Sequence, residues 1–450
     1  MPQNPEKKGT CQMQSSHSLS RLSVTFSDSH AVVDAGLLLP ATLAEKLGLR
    51  DLIDEHVGLG GRAGAGTSGV KAMTLIFSAL AGGECIDDAG LLRAGRTPAV
   101  LGQDVRAPST LGTFLRSFTW GHALQLDAVS RRLLARAWAS GAGPGDQPFT
   151  MDVDSTICET YGLKKAGGSR FTYTHTRGYH PLLAVAAGTG EVLHARLRGG
   201  PAHTSRGAAR FIAETVERVR GAKATGPLTL RADSGFYSKK VVEACRKRKV
   251  RFSITMRIHQ KLRATLAALP EEAWTAIPYF LPGAAVAETT YTPFGRKGTP
   301  VRLIVRRVPP TPGSQLALFT TYDYHAFICD REGETLTLEA DHRRHAEIEN
   351  VVRDLKYGVG LNHLPSGKFG ANAAWLAFQV MAHNLGLWVN RLGLCGAPLR
   401  MKTLRRRYLA LPGRLTSGRR RFFLALPAAW PWREGFLAAL SRLRSLPLLV

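Results

Sequence analysis

Closely spaced cysteines are missing from this 450-residue chain. Its six cysteines (Cys11, Cys85, Cys158, Cys245, Cys329 and Cys395) stand singly, which excludes a zinc ribbon and a disulfide-dense scaffold and suits a reducing compartment. Acid is scarce: 34 Asp and Glu face 60 Lys and Arg, giving a formal net charge of +26. That imbalance favours a polyanionic partner. The polar opening MPQNPEKKGTCQMQSSHS lacks the apolar stretch of a signal peptide. The most apolar long segment, 371–394, is broken by Asn372, Gln379, His383, Asn384, Asn390 and Arg391, so a buried helix is expected there and not a membrane span. A cytoplasmic protein with no membrane partner is the expectation. No nucleotide site is expected: 64-GAGTSG-69 fits G-x-G-x-x-G, but a Gly-rich linker precedes it where a buried strand is required.

What is present describes a globular chain, 44% hydrophobic and long enough for two or three domains. Residues 1–20 read as a disordered tail. Residues 21–145 carry helical periodicity, with segments at 70–80 (ended by Gly82-Gly83), at 109–118 (opened by Pro108) and near 123–138. Arg131, Arg132 and Arg136 give the last an arginine face, which fits a DNA-binding module and equally fits ordinary solvated helix surface. From 147 the texture changes. A strand at 149–157, a loop rich in Lys, Gly and Thr, and a hairpin of 182–186 with 192–197 come first. A helix at 205–220, a strand at 228–230, a helix from the cap Ser238 and a strand at 251–255 follow. The order β-β-β-α-β-α-β predicts an α/β fold with a mixed sheet. Residues 256–335 read as a β-rich insertion, with short strands at 301–305 and 316–320. A helix at 341–356 then leads to the remainder of the core, 336–395. Residues 396–450 read as a basic helical C-terminal region.

The stretch 150-TMDVDSTICETYG-162 holds two acids, Asp152 and Asp154, in a strand that otherwise alternates like a buried one. Carboxylates are costly beside a core unless paired. Asp154 ends the first strand and Asp233 the fourth, in 231-RADSG-235; in the expected sheet these strands are neighbours. Glu349 lies on the helix at 341–356, where His342, His345, Glu349, Val352 and Lys356 form one stripe and Ile348, Val351 and Leu355 an adjoining apolar one. Hard oxygen donors of this kind suit Mg²⁺ or Mn²⁺, and two such ions can clamp an in-line phosphoryl displacement. Lys356, two turns on, can reach a phosphate.

Three pieces then resemble a known family: Asp154-Ser-Thr156, Asp233 within LRADSGFYS, and 342-HRRHAEIENVVRDLK-356, supported by 178-GYHPLLA-184 and 372-NAAWLAFQVMAHNL-385. The chain resembles bacterial insertion-sequence transposases of the DDE type, in the subgroup marked by Tyr-x2-Arg-x3-Glu-x6-Lys, over roughly residues 70–445. The resemblance implies a ribonuclease-H-like core (146–255 and 336–395) with its β-rich insertion and two Mg²⁺ ions, Mn²⁺ substituting. It also implies binding of terminal inverted repeats, cut-and-paste strand transfer and a homodimer on paired ends, nucleoid-associated in the cytoplasm. It makes Asp154, Asp233 and Glu349 the metal-binding triad and Lys356 the signature lysine. His342 replaces the signature Tyr and His345 its Arg, exchanging a fixed cation for a titratable one. A phosphate beside His345 is expected to raise its pKa and restore part of that charge. The arginines Arg405, Arg406, Arg407, Arg419, Arg420 and Arg421 are expected to grip DNA. Tyr408, Phe422 and Phe423 among them are expected in the core, with base stacking as the alternative. Asp152 is left as either an auxiliary ligand or a supporting acid. The competing functions are a nuclease that cuts without joining and a decayed transposase that only binds DNA.

Overall fold

The computed structural model describes residues 19, 22–62, 64–161, 168–295, 298–310, 322–418 and 421–449. A two-residue strand, β1 (Ala31–Val32), precedes six helices: α1 (Leu38–Lys46), α2 (Leu49–His56), α3 (Ser68–Ala81), α4 (Thr97–Val100), α5 (Pro108–Ser117) and α6 (Trp120–Ala137). Their ends follow local chemistry. Gly82, at φ 106°, takes the left-handed position that stops α3. Pro108 opens α5 where an amide hydrogen would have no partner. Thr119 and His122 close a reciprocal capping box on α6.

The α/β region runs β2 (Phe149–Ser155), β3 (Cys158–Glu159), β4 (Arg170–Phe171), β5 (Arg177–Tyr179), β6 (Leu182–Ala186), β7 (Val192–Arg196), α7 (Ala208–Gly221), β8 (Leu228–Ala232), α8 (Lys239–Lys247) and β9 (Arg251–Met256). Ser238 caps α8 by accepting from the Val241 amide. The next stretch adds α9 (Gln260–Ala267), β10 (Thr275–Ala276), β11 (Ala285–Tyr291), β12 (Val301–Val308) and β13 (Asp323–Cys329). Helices α10 (Thr335–Arg343), α11 (Ile348–Gly358), α12 (Phe369–Trp388) and α13 (Met401–Leu404) follow, then β14 (Gly413–Gly418), β15 (Arg421–Ala425) and α14 (Arg433–Ser445).

One mixed sheet of nine strands, in the order β10-β11-β12-β13-β9-β8-β2-β6-β7, dominates the molecule. Strand β8 runs parallel to both β2 and β9, and the other pairings are antiparallel. The expected strand order thus holds, and the first and fourth strands are neighbours. The stretch 256–335 supplies β10 to β13, which continue the same sheet through the pairing of β13 with β9. A small sheet, β3-β5-β4, lies in what reads from sequence as loop. Its strands of two or three residues are too short to show a period.

Helix α12 is apolar around its circumference and buried along nearly its whole length, as the segment's pattern predicts. It packs on α3, α5 and α6 and also on β7. Asn384 on α12 clasps the backbone of Val192 in β7, accepting from its amide and donating to its carbonyl at 2.8 and 2.9 Å. The N-terminal helices therefore share one continuous core with the sheet. The C-terminal region departs from its helical expectation: β14 and β15 form a hairpin that pairs with β1 in a three-stranded sheet and joins the two ends of the chain. The expected strand at 316–320, and all but Leu19 of the expected tail, lie outside the described residues. Among the described residues no helix is long and apolar enough to cross a membrane.

Candidate active site

The parallel pairing of β2 with β8 builds the site. Val153 stands opposite Ala232, so the next residues along, Asp154 and Asp233, emerge side by side at the carboxyl ends of the two strands. Asp154 Oδ1 accepts from the Ser155 amide at 2.6 Å. Asp233 caps a short 3-10 turn, Ser234–Phe236, accepting from the Gly235 amide at 3.0 Å. Only glycine fits at 235: an added Cβ would lie 2.8 Å from Cγ2 and 2.9 Å from Cβ of Thr204.

Electrostatics mark the pair as frustrated. Burial, assisted by the charges of Asp233 and Glu349, pushes the Asp154 carboxyl up to about 6, against the pull of the Ser155 amide and His345. Burial also raises Asp233, against the Gly235 amide and the charges of His345 and Arg257. Glu349 lies exposed on α11, which packs against β2. Among the described residues no three His, Cys, Asp or Glu side chains converge tightly enough to hold a metal ion. The acids are thus electrostatic neighbours and not a closed cage. As a donor set they fit a hard divalent cation: all three offer carboxylate oxygen, and a cation would stabilise the charged form that burial, with Asp233 and Glu349, disfavours at Asp154.

The helix expected at 341–356 is not continuous. α10 ends at Arg343, a 3-10 turn occupies Arg344–Glu347, and α11 starts at Ile348. The tighter turn, three residues per revolution, breaks the expected stripe. His342 turns toward the sheet, where its nitrogens meet Ser253 Oγ at 2.7 Å and Thr255 Oγ1 at 3.0 Å and its ring stacks on Phe327. Burial drives its pKa down to about 3, so it stays neutral. Both nitrogens of His342, expected on DNA, are engaged inside the protein. His345 turns the other way and places Nδ1 2.9 Å from Asp152 Oδ1. Lys356 is half-buried, and its charge is felt at Cys158, just past the end of β2.

Asp152 is held on both oxygens by side chains of the protein. Arg231, its cross-strand neighbour, donates to both its oxygens, and Asp152 is 1% exposed. Arg231 has no role on the sequence alone; its signal there is a charged residue inside the apolar strand Leu228–Ala232. His180 was missed as well. Its Nδ1 lies 2.8 Å from the Ala202 carbonyl, which can only accept, so Nδ1 bears the hydrogen and Nε2 accepts from Ser155 Oγ at 2.9 Å. Ser155 Oγ lies 3.4 Å from Thr204 Oγ1. His180, Ser155 and Thr204 thereby brace the turns that follow both aspartates.

The family model for the Transposase DDE domain group 1 matches residues 14–448. The chain belongs to this family of DDE transposases. It is accordingly a DNA-cleaving and strand-transferring enzyme. A comparison with curated proteins finds no match. Among solved structures, the synaptic complex of the piggyBac transposase with hairpin DNA aligns with a TM-score of 0.44 at 10% identity, covering 84% of this chain and 80% of that one.

The transposase's C-terminal arginines separate by direction. Arg405 points inward: its guanidinium donates to the carbonyls of Ala79, Leu80 and Gly358, tying the ends of α3 and α11 together. Expected on DNA, it is instead a structural tie, because the last carbonyls of a helix have no intrahelical donors. Arg406 is exposed, while Arg407 lies over the Trp432 ring. Arg421 opens β15 and is exposed; Arg419 and Arg420 lie outside the described residues. Phe422 and Phe423 are 67% and 58% exposed, against the expectation that they pack in the core, whereas Tyr408 is half-buried.

Proposed function

We propose that this DDE transposase has a ribonuclease-H-like core and cuts the terminal inverted repeats of a bacterial insertion sequence, joining the freed 3′ ends to target DNA. Two divalent ions, Mg²⁺ or Mn²⁺, held by Asp154, Asp233 and Glu349, would supply the charge stabilisation of the in-line displacement. The protein's own residues set the stage. Ser155 and Gly235 amides fix one oxygen of each aspartate. The charge surplus of the chain draws the DNA backbone toward this acidic centre. Lys356, Arg406, Arg407 and Arg421, with Arg257 at the rim beside Asp233, are the proposed phosphate contacts, and Phe422 and Phe423 the proposed stacking surface. A homodimer on paired ends in the cytoplasm, associated with the nucleoid, completes the reading.

The observation that carries it is the placement of Asp154 and Asp233 at adjacent ends of parallel strands, with Glu349 close enough to raise Asp154. The test is cleavage of DNA bearing the element's inverted repeats with Mg²⁺ or Mn²⁺. Asp154→Ala, Asp233→Ala and Glu349→Ala should each bind that DNA and none should cut it. Cleavage by any of them at the wild-type rate removes that residue from the triad. A wild-type protein that holds the repeats and never cleaves them would overturn this reading. A pre-cut end offered for joining separates a transposase from a nuclease.

A further inference from the structure

The hairpin that joins β4 to β5 carries its aromatic side chains in solvent. Phe171 is 66% exposed and Tyr173 71%. The root of the hairpin is firmly held. The Thr160 amide donates to the Arg177 carbonyl at 2.9 Å, and Arg177 Nη2 donates to the Ser169 carbonyl at 3.2 Å. Gly200 lies so close that any side chain there would collide with the carbonyls of Arg170 and Gly178. The tip is knit as well: the amide and hydroxyl of Thr172 both donate to the Thr176 carbonyl, at 2.9 and 3.0 Å, and His175 turns the chain at φ 61°. A slack loop would fold such rings against the protein; this one is braced with them outward. Exposed aromatics on a braced support mark a surface that something covers.

The tip lies beside the candidate active site. The Tyr173 ring meets that of His180, with 5.5 Å between centroids. His180 accepts from Ser155 Oγ, and the Ser155 amide donates to Asp154. Along this chain of contacts only His180 and Ser155 stand between Tyr173 and Asp154. Charge decides what can cover the tip. From Thr160 to Gly190 the sequence contains no acid; Glu159, in β3, precedes that stretch. Arg170 is exposed, and Arg177 stands opposite Phe171 in the strand pairing. A second copy of the chain would bring the same cations, and the same net charge of +26, against these. A polyanion brings the opposite sign. Nucleic acid also presents flat faces that suit aromatic rings.

We infer that Phe171 and Tyr173 form a stacking platform for nucleobases of the DNA end, a few nucleotides from the bond that is cut. The inference rests on the transposase site proposed above. The platform is separate from Phe422 and Phe423, which lie on β15 in the sheet made by the two chain ends. Stacking tolerates any sequence, because every base has a π face. A base leaves the duplex at least cost where it is already unpaired, as at a frayed end. Rings fixed beside His180 would set how far the strand extends across Asp154 and Asp233, a task that phosphate contacts alone perform loosely.

The test is binding of a pre-cut inverted-repeat end by the full-length protein in EDTA, where nothing further is cut. The fluorescent base 2-aminopurine replaces each of the terminal bases in turn. Wild type should quench the probe at one or two neighbouring positions. Tyr173→Ala should restore that emission and bind on the order of 10-fold more weakly, with the wild-type melting temperature because the ring is exposed. Phe171→Ala should behave likewise, and Tyr173→Phe should keep both quenching and affinity. An abasic site at the quenched position should cost wild type the same factor and Tyr173→Ala nothing more. Quenching undiminished in both alanine variants overturns the inference, whatever their affinity, and leaves the catalytic reading standing. So does a Tyr173→Ala protein that holds DNA as wild type does but sediments as a monomer where wild type sediments as a dimer, which would assign the hairpin to a second copy. A wild type that fails to bind the repeat removes the proposed function and the inference with it.

Discussion

Arg231 meets Asp152 edge to edge, with two parallel hydrogen bonds of 2.8 Å, sealed from solvent beneath the acids at the strand ends. The pair is worth more unbroken than its net energy suggests, because removing either partner leaves a buried charge without its main counter-ion. Arg231→Met or Asp152→Asn should each lower stability by about 3–5 kcal/mol, while Asp152→Asn with Arg231→Met together should cost much less than the sum. Chemical denaturation of the three variants checks this. Additive losses would mean that the two side chains do not act as a unit.

Asp154 couples the fold to pH. Burial, with Asp233 and Glu349 adding to it, raises its carboxyl to about 6 from an ordinary 3.8. A raised acid favours the folded state while it holds its proton. Its contribution is therefore present below the ordinary carboxylate range and is lost as pH rises through about 6. Asp154→Asn should melt like wild type near pH 4 and roughly 2–4 °C higher near pH 8, without metal. A cation competes with that proton, so stabilisation by Mn²⁺ should fade below about pH 6. A melting difference that stays flat across this range would show that Asp154 carries no such repulsion.

These two relationships were not equally visible beforehand. The alternation of Phe149 to Asp154, the apolar stripes of the helices and the caps at Pro108 and Ser238 are local, and the strand order followed from them. Asp154 beside Asp233 was therefore readable from sequence. The break at Arg344–Glu347 was not, because it is set by distant partners: Ser253 and Thr255 draw His342 one way and Asp152 draws His345 another. The β14–β15 hairpin likewise exists by pairing with a strand near the opposite end of the chain. Charge was legible and direction was not. Adjacent helical residues point about 100° apart, and that rotation sends Arg405 into the core and leaves Arg406 in solvent.

Gly235 is the tightest point behind the site. A methyl group there would press on Thr204 and lie 3.1 Å from Asp233 Oδ1. Both atoms guard geometry: Thr204 lies against Ser155, the neighbour of Asp154, and Asp233 is a proposed ligand. Gly235→Ala should lower the cleavage rate on the order of 100-fold, since a shift of about 1 Å in a reacting group costs that much. Adding Thr204→Gly removes the obstacle and should recover part of the rate. Single-turnover cleavage by the two proteins is the measurement; a Gly235→Ala enzyme of full activity would show that the turn after Asp233 has slack.

Arg405 and Arg406 offer a sharper separation, since they are neighbours of identical chemistry and opposite direction. Arg405 holds three carbonyls from two helix ends, and burial lowers its pKa against the attraction of Asp34. Arg405→Ala takes a donor from all three carbonyls, of which Ala79 keeps the Gly82 amide, a loss of about 2–4 kcal/mol that should appear as a lower melting temperature. The folded fraction should bind DNA with the wild-type salt dependence. Arg406→Ala should melt like wild type and instead reduce the slope of log affinity against log salt by about one unit, as expected when one phosphate contact is lost. Melting and salt titration of both variants decide the matter. A stable Arg405→Ala with a flattened salt slope would put Arg405 on the DNA after all, and would require the turn Arg405–Leu409 to rotate when DNA binds.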